Sequence, residues 1–270
     1  MADLIISANN AEVRQDIIQQ NEAYGNVSER YIPIATKDVL NVMREKAGDI
    51  KIIGFNNANV RSIEKDGFQK HAVMIQFNDA EMLDGTRMNM VLFNSNDRST
   101  ALKIYMGSLR AVCSNQIVWG DLVSEPVSIR HTNKNWKNSI YQLMDEYKKQ
   151  QEDTQRIINK MMKKYVSYGD IGRLNERVAE ELINPIITGS VLDPLQLNSA
   201  HRKEDLGKDL WHTFQRLQYN LVNGGIDRII ETENENEKLI HKISKTHKIT
   251  DTKKQIEVNR KLSDIVMEVL

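Results

Sequence analysis

The feature that most constrains this chain is a change of hydrophobic period near Asn133. Between Ile50 and Thr132 apolar residues come in short runs, and several alternate with polar ones. The runs are Ile52–Phe55, continued by Val60–Ile63, then His71–Phe77, Met88–Phe93, Ala101–Met106 and Val127–His131. Turn-forming residues separate them: Lys65-Asp66-Gly67, Asn78-Asp79, Asp84-Gly85 and Asn94-Ser95-Asn96-Asp97. Alternation places one side of each run in a core, and the turn chemistry returns the chain antiparallel. The reading is an antiparallel sheet over 50–132. Beyond Asn133 the period becomes helical. Ile140, Met144, Tyr147, Gln151, Thr154, Ile158, Met161 and Tyr165 recur in steps of three and four. That spacing predicts one uninterrupted helix over 135–165 with a heptad seam.

Helical patterns also flank this frame. One begins near Asn9 or Asn10, with Val13, Ile17 and Tyr24 as its apolar positions. A second starts at Thr36 as N-cap and stops at Gly48. After the long helix, Gly169-Asp170-Ile171-Gly172 reads as an interruption. Helices are expected over about 173–183, 203–223 and 252–269, with Gly224-Gly225 closing the middle one. The glutamates at 231, 233, 235 and 237 read as a solvated loop. Helices, then sheet, then helices define an α+β class. The expected division is 1–133, helices plus sheet, and 134–270, a helical region packed on or extending from the sheet.

Charge narrows the function classes. The chain has 37 basic and 37 acidic residues and a formal net charge of zero. Proteins that coat duplex DNA are strongly basic, because phosphate neutralisation dominates their affinity. The excess of positive charge is local: 134–164 carries 8 basic residues against 4 acidic. One cysteine forms no intrachain disulfide, consistent with a reducing compartment. No basic-then-apolar leader and no long apolar run are present, so the expectation is a cytoplasmic protein in a bacterial cell, with no membrane association. Zinc-ligand spacing, a Walker loop, GxSxG, HExxH and a dinucleotide fingerprint are all absent. No catalytic residue, metal or cofactor is assigned.

Three groups of residues carry the candidate chemistry. Lys103, Arg110, Arg130, His131, Lys134 and Lys137 gather around one expected sheet end and the start of the basic helix. They suit phosphate contacts to a single strand, with Trp136, Tyr141 and Tyr147 interleaved as stacking partners. Cys113, Asn115, Gln218 and Asn220 form a second group, read as a structural polar network joining sheet to helix. Cys113 with Arg110 and a nearby histidine also has the elements of an activated thiolate, although a lone cysteine reads first as a small core residue.

Ser95-Asn96-Asp97, Leu102–Met106, Arg110-Ala111-Val112-Cys113-Ser114-Asn115, Arg130-His131-Thr132 and Trp211–Gly225 together resemble motifs of the DUF932 family, phage- and plasmid-borne proteins of unassigned function. The resemblance spans about 90–225. It departs after Ser95-Asn96, where the family's histidine does not follow, at Gln116, where the family tends to have glycine, and at Gln215 and Tyr219, where the family has Asn and Glu. It implies a phage-type origin and transfers no catalytic role. The functional expectation is a nucleic-acid-associated protein, a single-stranded DNA binding or annealing accessory. Sheet followed by helices is also the order of phage annealing proteins, a likeness of architecture only. The alternative is a non-enzymatic protein that binds and inhibits a host defence protein. The amphipathic C-terminal helix and the long seam also make a homo-oligomer an expectation.

Overall fold

The computed structural model describes residues 13–81, 83–110, 126–183, 190–233, 239–250 and 252–270. It divides into two compact units, 1–155 and 156–270. The division falls inside the long helix, not at 133.

The first unit is built on a five-stranded antiparallel meander. Its strands are β1 (Ile50–Asn57), β2 (His71–Glu81), β3 (Thr86–Asn94), β4 (Leu102–Arg110) and β5 (Val127–Ile129), in that spatial order. The alternation does what period 2 requires. Val73 pairs with Leu92, Ile75 with Met90, Leu92 with Ile104 and Met90 with Met106, so one face is apolar across three strands. All six of these side chains are buried. Burial of each contributes about 1.5–3 kcal/mol relative to exposure. Asp84 (φ 57°) and Gly85 (φ 64°) turn β2 into β3 in the left-handed region, as an Asp-Gly turn does. Val60–Ile63 does not continue the first strand: Ile63–Lys65 is a single 3-10 turn and Ile63 is exposed.

Three helical elements accompany the sheet. α1 is one short turn, Gln15–Gln19, which buries Ile17 and Ile18. Tyr24 lies beyond it, and its N–H donates to Asn96 O at 2.9 Å. α2 (Thr36–Ala47) buries Val39, Leu40, Val42 and Met43 and stops at Gly48, φ 73°. Thr36 is its first helical residue, not its cap, because its hydroxyl is engaged elsewhere (below). α3 runs unbroken from Trp136 to Lys163. Tyr147 seats it on the sheet, 4.5 Å from Phe77 between ring centroids.

The second unit contains a sheet that the sequence reading missed. β6 (Ser190–Val191), β7 (Asp227–Glu233) and β8 (Leu239–Lys245) are antiparallel in that order. Part of the acidic run is therefore strand: Glu231 pairs with His241 and Glu233 with Leu239. α4 covers Tyr168–Val178 and continues as a π-helical turn to Ile183. Gly169–Gly172 lie inside it. Ser167 and Asp170 form a reciprocal capping box, which starts the helix ahead of both glycines. α5 (Leu210–Asn223) begins at Asp209, whose carboxylate accepts from His212 N. The stretch before it is a 3-10 turn, Lys203–Asp205. α6 is Thr252–Met267, with Val258, Leu262 and Ile265 buried as expected.

Eleven of the fourteen residues of α5 are buried. A helix buried all round is the centre of its unit. That position forces its polar side chains, Gln215, Arg216, Gln218 and Asn220, into the interior as well. Gly224 (φ 72°) ends α5 and leaves no room for a side chain, since a Cβ there would lie 2.5 Å from Thr246 O.

Candidate functional sites

In the first unit, the turn after β3 anchors its surroundings. Asn94 Nδ2 donates to Ile34 O (2.7 Å) and Thr36 Oγ1 (3.1 Å), and Ser95 N donates to Asn94 Oδ1. Thr36 in turn reaches His71 Nε2 at 2.7 Å, while His71 Nδ1 lies 3.1 Å from Gln69 O. A carbonyl only accepts, so Nδ1 carries the proton and Nε2 accepts from the threonine. Complete burial pushes the His71 pKa down to about 4. Asn96 Nδ2 holds Gln20 O at 2.6 Å. Asp97 accepts from Ser99 N and pairs with Lys65 at 3.0 Å. These bonds tie the Asn94–Asp97 block to α1, α2 and the turn at 65. Its role is to fix the loop, and no reacting group stands free in it.

The expected phosphate contacts separate by burial. Arg130, Lys134 and Lys137 are exposed, and Lys103 is half-buried on β4 opposite Ser128. Among the described residues none of the four has an ion-pair partner. The Nζ of Lys137 sits 5.7 Å from the centroid of the Trp136 ring. α3 has no acidic residue in its first turn. His131 is withdrawn from this surface at 6% exposure. Its ring stacks on Tyr31 with centroids 5.0 Å apart, and Nδ1 contacts Ile32 O at 3.1 Å. Burial lowers its pKa, so it stays neutral and supplies no cation. Arg110 ends β4 opposite Thr86. Cys113, Asn115 and Gln116 lie outside the described residues, as does the Arg110 side chain, so the thiolate reading and the sheet side of the proposed network fall there too. The expected stacking residues do not face solvent freely: Trp136 and Tyr147 are buried, and Tyr141 donates to Glu45 at 2.5 Å.

In the second unit, α5 supplies the polar anchors. Asn220 Nδ2 reaches Leu197 O, Ser199 O and Arg216 O, each at 2.9 Å. It thus fastens the 197–199 connection, where the sequence reading gave it a network or a ligand. Gln218 is buried beside it on the same helix. Arg216, which that reading did not single out, is 6% exposed. It donates from Nε to Asn198 Oδ1 (2.6 Å), from Nη1 to Asp205 O (2.5 Å) and Gly207 O (2.8 Å), and from Nη2 to Thr213 Oγ1 (3.0 Å). Every acceptor is uncharged. The nearby carboxylates are engaged elsewhere, Asp205 by Arg202 at 2.5 Å and Asp209 by His212. Burial lowers the Arg216 pKa, against the opposing pull of the nearby Asp205 and Asp209 charges.

Arg216 lines a cleft of about 240 Å³ together with Tyr165, Tyr168, Leu206, Gly207 and Lys208. Tyr165 was expected in the seam of α3. The helix stops at Lys163, so Tyr165 leaves the seam and is 63% exposed, with Tyr168 at 84%. Val166 N donates to Lys208 O and Leu210 N to Lys164 O, which joins the two chain segments at the cleft. Gly207 is required here: a Cβ would lie 2.2 Å from His212 Nδ1. Among the described residues, no group of three or more His, Cys, Asp or Glu is placed to hold a metal. No helix among them is long and apolar enough to cross a membrane.

Fold and sites define an α+β protein with a five-stranded meander and a second unit organised around one buried helix. The chain belongs to DUF932, described as a domain of unknown function, whose family model matches residues 23–261. The match extends well beyond the 90–225 of the motifs. The chain is similar to UPF0380 protein YfjQ of Escherichia coli (strain K12), with 25% identity over 209 residues, 74% of this chain and 70% of that protein. UPF0380 protein YafZ of the same strain matches with the same identity and coverage. No solved structure matches significantly.

Proposed function

We propose that this protein binds single-stranded nucleic acid through the junction of β5 and α3. The observation that supports this reading is the set of solvent-facing cations Arg130, Lys134 and Lys137 around the acid-free first turn of a 28-residue helix, none with an ion-pair partner among the described residues. Elsewhere several charges neutralise each other, as in Lys46–Asp145 and Arg177–Glu268. A cation without a local partner keeps its full attraction for a phosphate, and the N-terminal end of a helix adds a positive potential to it. Lys103 on β4 extends the patch. Ammonium groups read charge and not base identity, so the contact is sequence-tolerant.

Titration of a fluorescent single-stranded oligonucleotide across a salt series tests this. Three to four phosphate contacts imply a slope of log affinity on log salt of roughly −2 to −3, hence a loss of roughly twenty- to fifty-fold between 50 and 200 mM salt. Lys134→Ala/Lys137→Ala flattens the slope by about 0.7 per lysine and weakens unrelated sequences alike. Unchanged slope and affinity in the double variant place the binding elsewhere. No binding at low salt removes this reading and leaves the inhibitor of a host defence protein as the alternative to pursue.

A further inference from the structure

We infer that the cleft of the second unit is a binding site for a nucleoside 5′-phosphate, either a free nucleotide or the phosphorylated end of a strand. The inference concerns the second unit alone and does not depend on the junction described above.

The floor of the cleft is the first observation. Arg216 is a nearly buried cation held entirely by neutral acceptors: an amide oxygen, two carbonyls and a hydroxyl. Those bonds use four N–H groups of the guanidinium and leave one on Nη2 without an acceptor among the described residues. No acidic side chain is among the described residues lining the cleft. Burial makes this charge costly, the neighbouring Asp205 and Asp209 carboxylates offset part of the cost without bonding to it, and an entering anion relieves more of it. Lys208 stands exposed at the same cleft with no ion-pair partner among the described residues. One buried fork and one exposed ammonium are a phosphate-binding combination, because the guanidinium fixes geometry and the ammonium supplies a point charge on a long stem.

The rim is the second observation, and it specifies the rest of the ligand. Two tyrosines, Tyr165 and Tyr168, expose most of their surface within three residues of each other and line the same cleft. Large aromatic rings left in water beside a pocket are stacking platforms, and a nucleobase is the planar partner found next to a phosphate. Leu206, 68% exposed, adds apolar surface on the opposite chain segment. The connection carrying Leu206, Gly207 and Lys208 is held rigid by Arg216 and by the backbone pairing at 164–166 and 208–210, so the site is preformed.

The test is isothermal titration of the full chain with adenosine 5′-monophosphate, adenosine and inorganic phosphate. The nucleotide is expected to bind one to one, and at least about tenfold more tightly than adenosine, the worth of one charge-assisted hydrogen bond. Tyr168→Ala weakens the nucleotide and leaves inorganic phosphate unchanged. Lys208→Ala weakens both. Both substitutions are at exposed positions, and unchanged melting curves confirm that the variants fold. Arg216 is left intact because its replacement would release the 198–207 connection. Oligonucleotides with and without a 5′-phosphate separate the two sources: preference for the phosphorylated end identifies a strand terminus, and equal binding identifies the free nucleotide. The inference is overturned if the wild-type chain gives no heat and no cleft NMR shifts with millimolar nucleotide. Adenosine binding as well as its phosphate, or binding indifferent to both substitutions, overturns it equally. None of these results bears on the salt-dependent binding at the junction, where the Lys134→Ala/Lys137→Ala variant is the control.

Discussion

Mild acidification should loosen the first unit, and His71 is the reason. Its ring is fully buried between the Thr36 hydroxyl and the Gln69 carbonyl, and both ring nitrogens are committed in the neutral form. A second proton at Nε2 would turn an acceptor into a donor facing a hydroxyl that already accepts from Asn94. The folded pKa is about 4 against 6.5 in the unfolded chain. Between those values the unfolded chain binds more protons than the folded one, so stability rises with pH across this window. The contribution is fully present above pH 6.5 and is lost as pH falls towards 4. The difference corresponds to about 3 kcal/mol in all, lost progressively as pH falls from 6.5 towards 4. His131, also buried with a lowered pKa, acts in the same direction. Urea titrations at several pH values, with peroxide oxidation of the buried Met88 and Met90 as the reporter of sheet opening, measure this unit directly. His71→Gln should be less stable than wild type at pH 7.5, and the gap should narrow on acidification as the His71 share disappears. A variant whose stability falls with pH as steeply as wild type would refute the assignment.

Two further substitutions probe the second unit. Gln215 is fully buried and neither amide atom has a hydrogen-bond partner among the described residues, so Gln215→Met should stabilise the chain by about 1–3 kcal/mol in urea denaturation; a loss of stability would show that the amide is satisfied. Gly207→Ala places a methyl against the His212 ring and should cost about 1–3 kcal/mol, whereas Lys208→Ala beside it should stay within about 0.5 kcal/mol; equal melting temperatures for the two would contradict the close approach.

Much of the local structure was legible in the residues themselves, because it follows from period and from turn chemistry. Alternation at Val73, Ile75 and Phe77 and the Asp84-Gly85 turn define a hairpin without reference to anything distant. The seam from Ile140 to Met161 defines the long helix in the same way. Elements set by competition between neighbours were not legible. Gly169 and Gly172 signal a break, yet the Ser167–Asp170 capping box starts a helix over them, because two reciprocal hydrogen bonds outweigh the cost of glycine in a helix. β7 reads as an acidic loop until β8 pairs with it. The chemistry of single side chains belongs to the tertiary structure almost entirely. Sequence places a histidine at 131 beside exposed cations, and packing against Tyr31 turns it inward and neutral. Sequence places Tyr165 in an apolar seam, and the end of α3 at Lys163 sets it in solvent instead. Arg216 has no sequence pattern of its own, since charge, burial and the neutrality of its acceptors arise only when α5 is enclosed by the connections it holds. Periodicity acts over a few residues and survives in the sequence. Desolvation depends on every atom brought near by folding, and only the folded chain decides it.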